Sequence, residues 1–249
     1  MLTDMDALPV FRSPVVTVGS FDGVHLGHKH LLDVMRERAS FSGGETVVVT
    51  FEEHPRNVLK PEDEVPLITS LNEKAFLLEK EKIDNLIVMP FDETVSRLSP
   101  EDFIRDFAVG KLGAKELVVG YNHHFGHNKE GSAATLRELE TKYGFQIYEA
   151  PVFSAGPEKI NSTNVRKAVL EGNIRLAERL MGHPYIIMAS VGENGELMTD
   201  EPLKLLPPAG RYFVDVNGRN GALTIAGDGG VTLETSASAT PGTELLISF

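Results

Sequence analysis

Short apolar runs punctuate the first two-thirds of the chain at Val15–Val18, Thr46–Phe51, Asn85–Phe91, Glu116–Tyr121 and Gln146–Val152. Their apolar residues follow one another rather than alternating with polar ones, so each predicts a strand buried on both faces. Segments of helical period separate most of them. Ser70-Leu71-Asn72-Glu73 has the layout of a capping box, and Ala75, Phe76, Leu78 and Ile83 continue it at helical spacing. Ser99-Pro100-Glu101-Asp102 places proline at the first position of another helix, which should stop near Gly113. Ser132–Tyr143, Asn164–Glu171 and Ile174–Met181 read as further helices. Buried strands alternating with helices predict an α/β fold, a Rossmann-like, doubly wound parallel sheet of five strands. In such sheets ligands sit beyond the carboxyl ends of the strands.

The pattern changes near Gly182-His183-Pro184. Beyond it no helical period is visible, and short β-rich runs follow at Tyr185–Val191, Tyr212–Val216, Ala222–Ala226, Val231–Glu234 and Glu244–Phe249. They predict a small antiparallel β module. The chain therefore divides into a domain over 1–184 and a module over 185–249.

Composition narrows the functions available. A net charge of −12 argues against a nucleic-acid binder, which needs a basic footprint. Local donors can still focus potential on a phosphate-bearing small molecule within an acidic protein. Cysteine is absent, which removes disulfides, thiolate catalysis and cysteine-ligated zinc. No apolar run approaches the roughly 18 residues of a membrane span, and Met1–Arg12 lacks the layout of a signal peptide. The expected location is the cytoplasm.

The richest chemistry lies in Val16-Thr17-Val18-Gly19-Ser20-Phe21-Asp22-Gly23-Val24-His25-Leu26-Gly27-His28. A strand ends at glycine, passes a short turn and opens into a helix. A helix start gathers unpaired N–H groups and partial positive charge, a ready anion site. Gly19, Gly23 and Gly27 allow a phosphate chain to approach the backbone. His25 and His28, three apart, can share one side of the first helical turn and donate to that anion.

A second element is Ile160-Asn161-Ser162-Thr163-Asn164-Val165-Arg166. Ser162, Thr163 or Asn164 serves as an ordinary N-cap. Arg166 is harder to explain that way, because a cation in the first turn opposes the helix dipole. An anion held between the cap and Arg166 would resolve that conflict.

His25-Leu26-Gly27-His28 resembles the H-x-G-H motif of nucleotidylyltransferases and class I aminoacyl-tRNA synthetases. Val48-Val49-Thr50-Phe51-Glu52-Glu53-His54-Pro55 ends the second predicted strand, and Leu117-Val118-Val119-Gly120-Tyr121-Asn122-His123-His124-Phe125-Gly126 ends the fourth. Together with the Asn161–Arg166 element, these resemble the adenylyltransferase module of prokaryotic bifunctional riboflavin kinase/FAD synthetases. The resemblance runs from about Val15 to Tyr185. It implies a nucleotidylyltransferase-type sheet and transfer of AMP from MgATP to FMN, giving FAD and pyrophosphate. It implies catalytic roles for His25, His28, Asn122 and Arg166, and ATP contacts from Gly19, Ser20, Phe21, Gly23, Gly27, Ser162 and Thr163. His54, Pro55 and Phe125 would lie towards the flavin. The implied cofactor is Mg2+ brought with ATP, and no metal ligand is assigned. The implied partners are ATP and FMN, with neither nucleic acid nor membrane.

Three positions depart from the family pattern: Asn161 where serine is common, and Tyr121 and His123 where acidic and aromatic residues are usual. The second half departs further. A riboflavin kinase module carries a Gly-x-Pro-Thr-Ala-Asn element that binds Mg-ATP, whereas here Val191 is followed by Gly192-Glu193-Asn194-Gly195-Glu196 and, soon after, Leu206-Pro207-Pro208. Riboflavin kinase activity is therefore not expected, and the tail reads as a shortened relative of that barrel. His123, His124 and His127 sit among glycines in a predicted loop, which does not make a zinc site. His30 and His183 read as helix-surface and helix-end residues without a chemical role. Glu52-Glu53 and Glu62-Asp63-Glu64 read as solvated acidic runs, from which one carboxylate could help hold magnesium. Two alternatives stay open, another small-molecule nucleotidylyltransferase and a non-catalytic flavin or nucleotide sensor. An aminoacyl-tRNA synthetase is disfavoured by the short acidic chain and the lack of a lysine-rich second signature.

Overall fold

A computed structural model of the chain describes all residues except 122–130, 132, 155, 157, 194–195, 228 and 236–239. Five parallel strands, β1 (Val15–Val18), β2 (Thr46–Phe51), β3 (Asn85–Met89), β4 (Glu116–Gly120) and β5 (Gln146–Ala150), form one sheet in the order β3-β2-β1-β4-β5. The register aligns Val16 with Val47 and with Leu117. The near-continuous apolar content of β1–β4 suits a sheet covered on both faces. The edge strand β5, Gln-Ile-Tyr-Glu-Ala, is not buried on both faces, although its sequence run predicts that. The order reverses at β1, whose neighbours are β2 on one side and β4 on the other. A crevice at such a switch point is the usual ligand site of a doubly wound sheet.

Eight helices accompany the strands among the described residues: α1 (Leu26–Ser42), α2 (Pro55–Leu59), α3 (Leu71–Lys80), α4 (Glu93–Ser96), α5 (Pro100–Asp102), α6 (Ala133–Tyr143), α7 (Ser162–Leu170) and α8 (Ile174–Met181). The capping box at α3 forms as its sequence predicts. Ser70 N–H donates to Glu73 Oε2 at 2.9 Å, and Glu73 N–H donates to Ser70 Oγ at 3.2 Å. The Ser99 start also holds, with Ser99 Oγ accepting from Asp102 N–H. Beyond Asp102 the chain continues as a π-helical stretch over Phe103–Lys111 rather than as a regular α-helix, and it ends before Gly113.

The second sheet is antiparallel and holds six strands in the order β10-β9-β8-β11-β6-β7. They are β6 (Ile186–Val191), β7 (Leu197–Thr199), β8 (Gly210–Val216), β9 (Arg219–Ile225), β10 (Val231–Thr235) and β11 (Glu244–Ser248). The edge strands β7 and β10 approach each other, so the sheet curls towards a barrel. Short β7 has no counterpart among the strands predicted from sequence.

The chain packs as two compact units. Unit 1 comprises Met1–Phe21, Gly27–Val65 and Leu78–Ser154; unit 2 comprises Asp22–Leu26, Pro66–Leu77 and Ala155–Phe249. The change of pattern near residue 184 marks where helices give way to strands, and the compact units divide along other lines. In unit 1 the core gathers Val16, Val47, Val49, Ile87, Leu117 and Leu136 around the parallel sheet. In unit 2, Val165, Val169 and Met181 of α7 and α8 share a core with Ile187, Leu223 and Ile247 of the antiparallel sheet, and Ile68 joins them. Gly182 ends α8 in the left-handed conformation, φ 71°, where any other residue is strained.

Candidate functional site

The turn after β1 carries the first group of candidate residues. In unit 1, Gly19 N–H donates to Val49 O at 3.0 Å, prolonging the β1–β2 ladder, and Ser20 O accepts from Thr50 Oγ1 at 3.2 Å. A Cβ at Gly19 would stand 3.1 Å from the Phe21 ring. That ring is buried and leans on the His28 imidazole, with ring centres 5.0 Å apart. Gly27 and His28 lie in the first turn of α1. The backbone of the turn is unusual. Phe21 (φ 48°), Gly23 (φ 80°) and Val24 (φ 36°) all have positive φ, and both non-glycine side chains are fully buried. Left-handed backbone at phenylalanine and at β-branched valine is strained, and it persists only where surrounding contacts over-determine it.

For Asp22–Val24 those contacts lie within unit 2 and centre on Asp22, 2% exposed. Asp22 Oδ1 accepts from Thr69 N–H at 3.0 Å and from Thr69 Oγ1 at 3.3 Å. Gly23 N–H in turn donates to Thr69 Oγ1 at 3.0 Å. Asp22 O accepts from Ser162 Oγ at 2.9 Å, and Asp22 Oδ2 takes a 2.6 Å contact from the Arg166 guanidinium. Arg166 Nε donates to Pro66 O at 2.8 Å. The structure starts α7 at Ser162, which moves Arg166 past the first turn and eases the expected conflict with the helix dipole, and Asp22 supplies within the protein the partner that the sequence assigned to a bound anion. The N-cap differs as well. Asn161 caps α7 by accepting from Asn164 N–H at 2.8 Å, while Ser162 reaches Asp22 O and Thr163 is exposed.

His25 immediately precedes α1 and is 7% exposed. Burial lowers its pKa to about 4, outweighing the stabilising Asp22 charge, so the imidazole is neutral near pH 7. His183 places Nε2 3.1 Å from Gly23 O and Nδ1 2.8 Å from Pro184 O. Lys74, buried in the first turn of α3, has a pKa pushed down to about 8 by desolvation, against the Asp22 and Glu201 carboxylates.

His54 N-caps α2, its Nδ1 accepting from Arg56 N–H at 3.2 Å, and Pro55 takes the first helical position. Both are half-buried at the carboxyl end of β2. Asn122, His123, His124, Phe125 and His127 come after β4 in sequence, and all five lie outside the described residues. Glu52 and Glu53 are exposed. Among the described residues no group of three or more His, Asp or Glu side chains converges as a metal cage.

Sequence reasoning missed three residues at this turn. Asp22 stands inside the glycine-turn motif without a role, Thr69 lies one residue before the α3 capping box, and His183 reads only as a helix-end residue. Their signal is tertiary. Thr69 and Arg166 lie 47 and 144 positions from Asp22, beyond the reach of any local pattern.

A parallel sheet of this order, with a glycine turn and a helix start at the carboxyl end of its first strand, is a doubly wound α/β fold of the kind that binds nucleotides. The FAD synthetase family model matches residues 9–164, and the chain belongs to that family. It is similar to the bifunctional riboflavin kinase/FMN adenylyltransferase of Escherichia coli, 34% identical over 213 residues that cover 82% of this chain and 68% of that protein. The corresponding Pseudomonas fluorescens protein is 32% identical over 245 residues, covering 91% of this chain and 78% of its own length. The Buchnera aphidicola (Schizaphis graminum) protein is 34% identical, and the chain spans 57% of its length. Among solved structures, a Streptococcus pneumoniae protein titled a macrolide-efflux protein superposes with a TM-score of 0.82 at 23% identity, covering 100% of this chain and 90% of that one. At that identity the likeness concerns the fold. No helix among the described residues is long and apolar enough to cross a membrane.

Proposed function

We propose that the chain transfers AMP from MgATP to FMN, releasing pyrophosphate and forming FAD, with residues 1–184 performing the transfer. The observation that carries this reading is the strained backbone over Asp22–Val24, with Gly23 and Val24 at positive φ, fixed by Thr69, Ser162 and Arg166. A turn so over-determined suits a backbone held ready for an anion. In the reaction a phosphate oxygen of FMN attacks the α-phosphorus of ATP. The P–O bond to pyrophosphate breaks as the new one forms, and no covalent enzyme intermediate is needed. Positioning and donors aimed at the developing charge then supply the acceleration.

His28 serves as a phosphate donor from the first turn of α1. His25, neutral and buried, offers a hydrogen bond rather than a charge. Arg166 spends two of its five N–H donors on Asp22 and Pro66, which leaves further donors for phosphate oxygens. Ser162 and Thr163 open the same helix, and Gly19, Ser20, Phe21, Gly23 and Gly27 shape the backbone. Asn122 would stand by the triphosphate, and His54, Pro55 and Phe125 towards the flavin. Magnesium enters with the triphosphate and neutralises part of its charge. The setting is cytoplasmic, where ATP and FMN are both present.

The module over 185–249 is assigned no riboflavin kinase activity, since the Pro-Thr-Ala-Asn element is missing between β6 and β8. Purified protein incubated with MgATP and FMN, and separately with MgATP and riboflavin, tests both statements. FAD and pyrophosphate should form in the first mixture and no FMN in the second. Absence of FAD overturns the transferase reading, and FMN formed as fast as FAD overturns the second.

A further inference from the structure

Five consecutive residues, 66–70, are each held by hydrogen bonds, and the bonds lead in two directions. One set grips the segment that precedes β8. Leu67 N–H donates to Leu203 O and Leu67 O accepts from Leu205 N–H, both at 2.8 Å, making a short parallel bridge. Lys204 Nζ donates to Ile68 O at 2.6 Å and to Ile186 O at 2.9 Å, and meets Glu73 Oε2 at 2.6 Å. Glu73 Oε2 also takes Ser70 N–H, and Glu73 Oε1 takes Met188 N–H at 2.8 Å. The other set grips the turn: Pro66 O holds Arg166 Nε, and Thr69 holds the Asp22 carboxylate and the Gly23 amide.

The Glu73 and Lys204 side chains are 0% and 2% exposed. Lys204 also lies 4.6 Å from the centre of the Tyr185 ring, whose hydroxyl donates to Leu205 O. A buried ion pair is weak support for stability, since apolar residues of similar volume often serve as well. Here the three N–H donors of Lys204 meet three acceptors, Ile68 O, Ile186 O and Glu73 Oε2, which ties residues 66–70 to β6 and to α3.

We propose that Glu73 and Lys204 are positioning residues for adenylyl transfer. They set residues 66–70 in place, and Thr69 transmits that placement to the Gly23 amide and to the carboxylate that orients Arg166. The β module thereby contributes to nucleotide handling without contacting the reacting atoms. This inference rests on the adenylyl-transfer reading above.

Two variants test it. Glu73→Gln/Lys204→Met removes both charges together and leaves no orphaned ion. Thr69→Val removes the linking hydroxyl with little change of shape, and Thr69→Ser restores it. Steady-state kinetics with FMN and MgATP and the melting shift caused by MgATP are read for each. Both disrupted variants should raise the KM for ATP about tenfold or more and shrink the MgATP-induced shift, with the KM for FMN unchanged, and Thr69→Ser should recover most of the loss. A folded Glu73→Gln/Lys204→Met protein with wild-type ATP kinetics and shift overturns the proposal, as does a Thr69→Val protein with those properties. If the paired variant fails to fold, Thr69→Val decides alone. Wild-type protein that forms no FAD counts against the transferase reading instead, and the MgATP shift still decides the positioning role.

Discussion

Replacing Arg166 with methionine should destabilise the ligand-free protein. The Arg166 side chain is 12% exposed and its partner Asp22 2%, so the pair is largely shielded from water. Removing one member of a buried pair leaves an uncompensated charge and typically costs about 3–5 kcal/mol. Thr69 still offers Asp22 an N–H and a hydroxyl, which places the cost near the lower end, about 3 kcal/mol. Arg166→Met also orphans Pro66 O, which accepts from Nε. For a chain of this size that loss lowers Tm by roughly 6–12 °C. Thermal unfolding followed by far-ultraviolet circular dichroism reads the effect directly. Asp22→Asn combined with Arg166→Met should recover part of the loss, because no buried charge remains unpaired. Were Arg166 an anion clamp opposed to its helix dipole with no internal partner, its removal would leave the empty protein unchanged or slightly more stable. An Arg166→Met protein melting at or above the wild-type temperature would therefore refute the Asp22 pairing as a source of stability.

His25 binds a proton less readily folded than unfolded, with a pKa of about 4 against 6.5, so the unfolded chain takes up the proton first as pH falls. Stability should decline as pH drops from 6.5 towards 4, by about 3 kcal/mol at most from this group, and His25→Gln should flatten that part of the melting profile. Gly23→Ala meets φ +80° and places a Cβ 3.0 Å from two Ile68 side-chain carbons; it should cost about 1–3 kcal/mol in urea unfolding. His28→Ala should lower kcat for FAD formation by about 10²–10³-fold while the melting temperature stays near wild type, and an unaltered rate in the folded variant would remove His28 from the chemistry.

Much of the fold can be read from local patterns. Val15–Val18, Thr46–Phe51 and Ile174–Met181 occupy the spans their periodicity predicts, because β-branched runs and a one-sided apolar helix leave little choice. Leu197–Thr199 escapes notice because it is short and mostly exposed, so it carries no buried run to detect. The π-helical stretch from Phe103 to Lys111 escapes for another reason, since Phe103, Ile104, Phe107 and Ala108 keep a buried face that also fits an α-helix. At the site, the glycine turn and the start of α1 are legible as chain chemistry. The partners of the turn are not. Arg166 announced a conflict at its helix start, yet nothing local could say that Asp22 supplies its partner. Glu73 was legible as half of a capping box, whereas its pairing with Lys204, 131 positions away, arises only when the antiparallel sheet folds.

The interleaving of the two units has a consequence for synthesis. Asp22–Leu26 and Pro66–Leu77 belong to a unit whose remaining residues begin at Ala155. The 144 positions between Asp22 and Arg166 correspond to about 7–30 s of translation at about 5–20 residues per second. For most of that interval, from His28 to Asn161, the nascent chain already carries its whole glycine turn and both motif histidines but has none of the α7 partners of the turn. Until Lys204 emerges, residues 66–70 also lack their second anchor. A ribosome stalled anywhere between these points carries a recognisable nucleotide motif in an unfinished setting. The turn can gain its α7 partners only after Arg166 is made, and residues 66–70 their second anchor only after Lys204, so the order in which these contacts complete follows elongation.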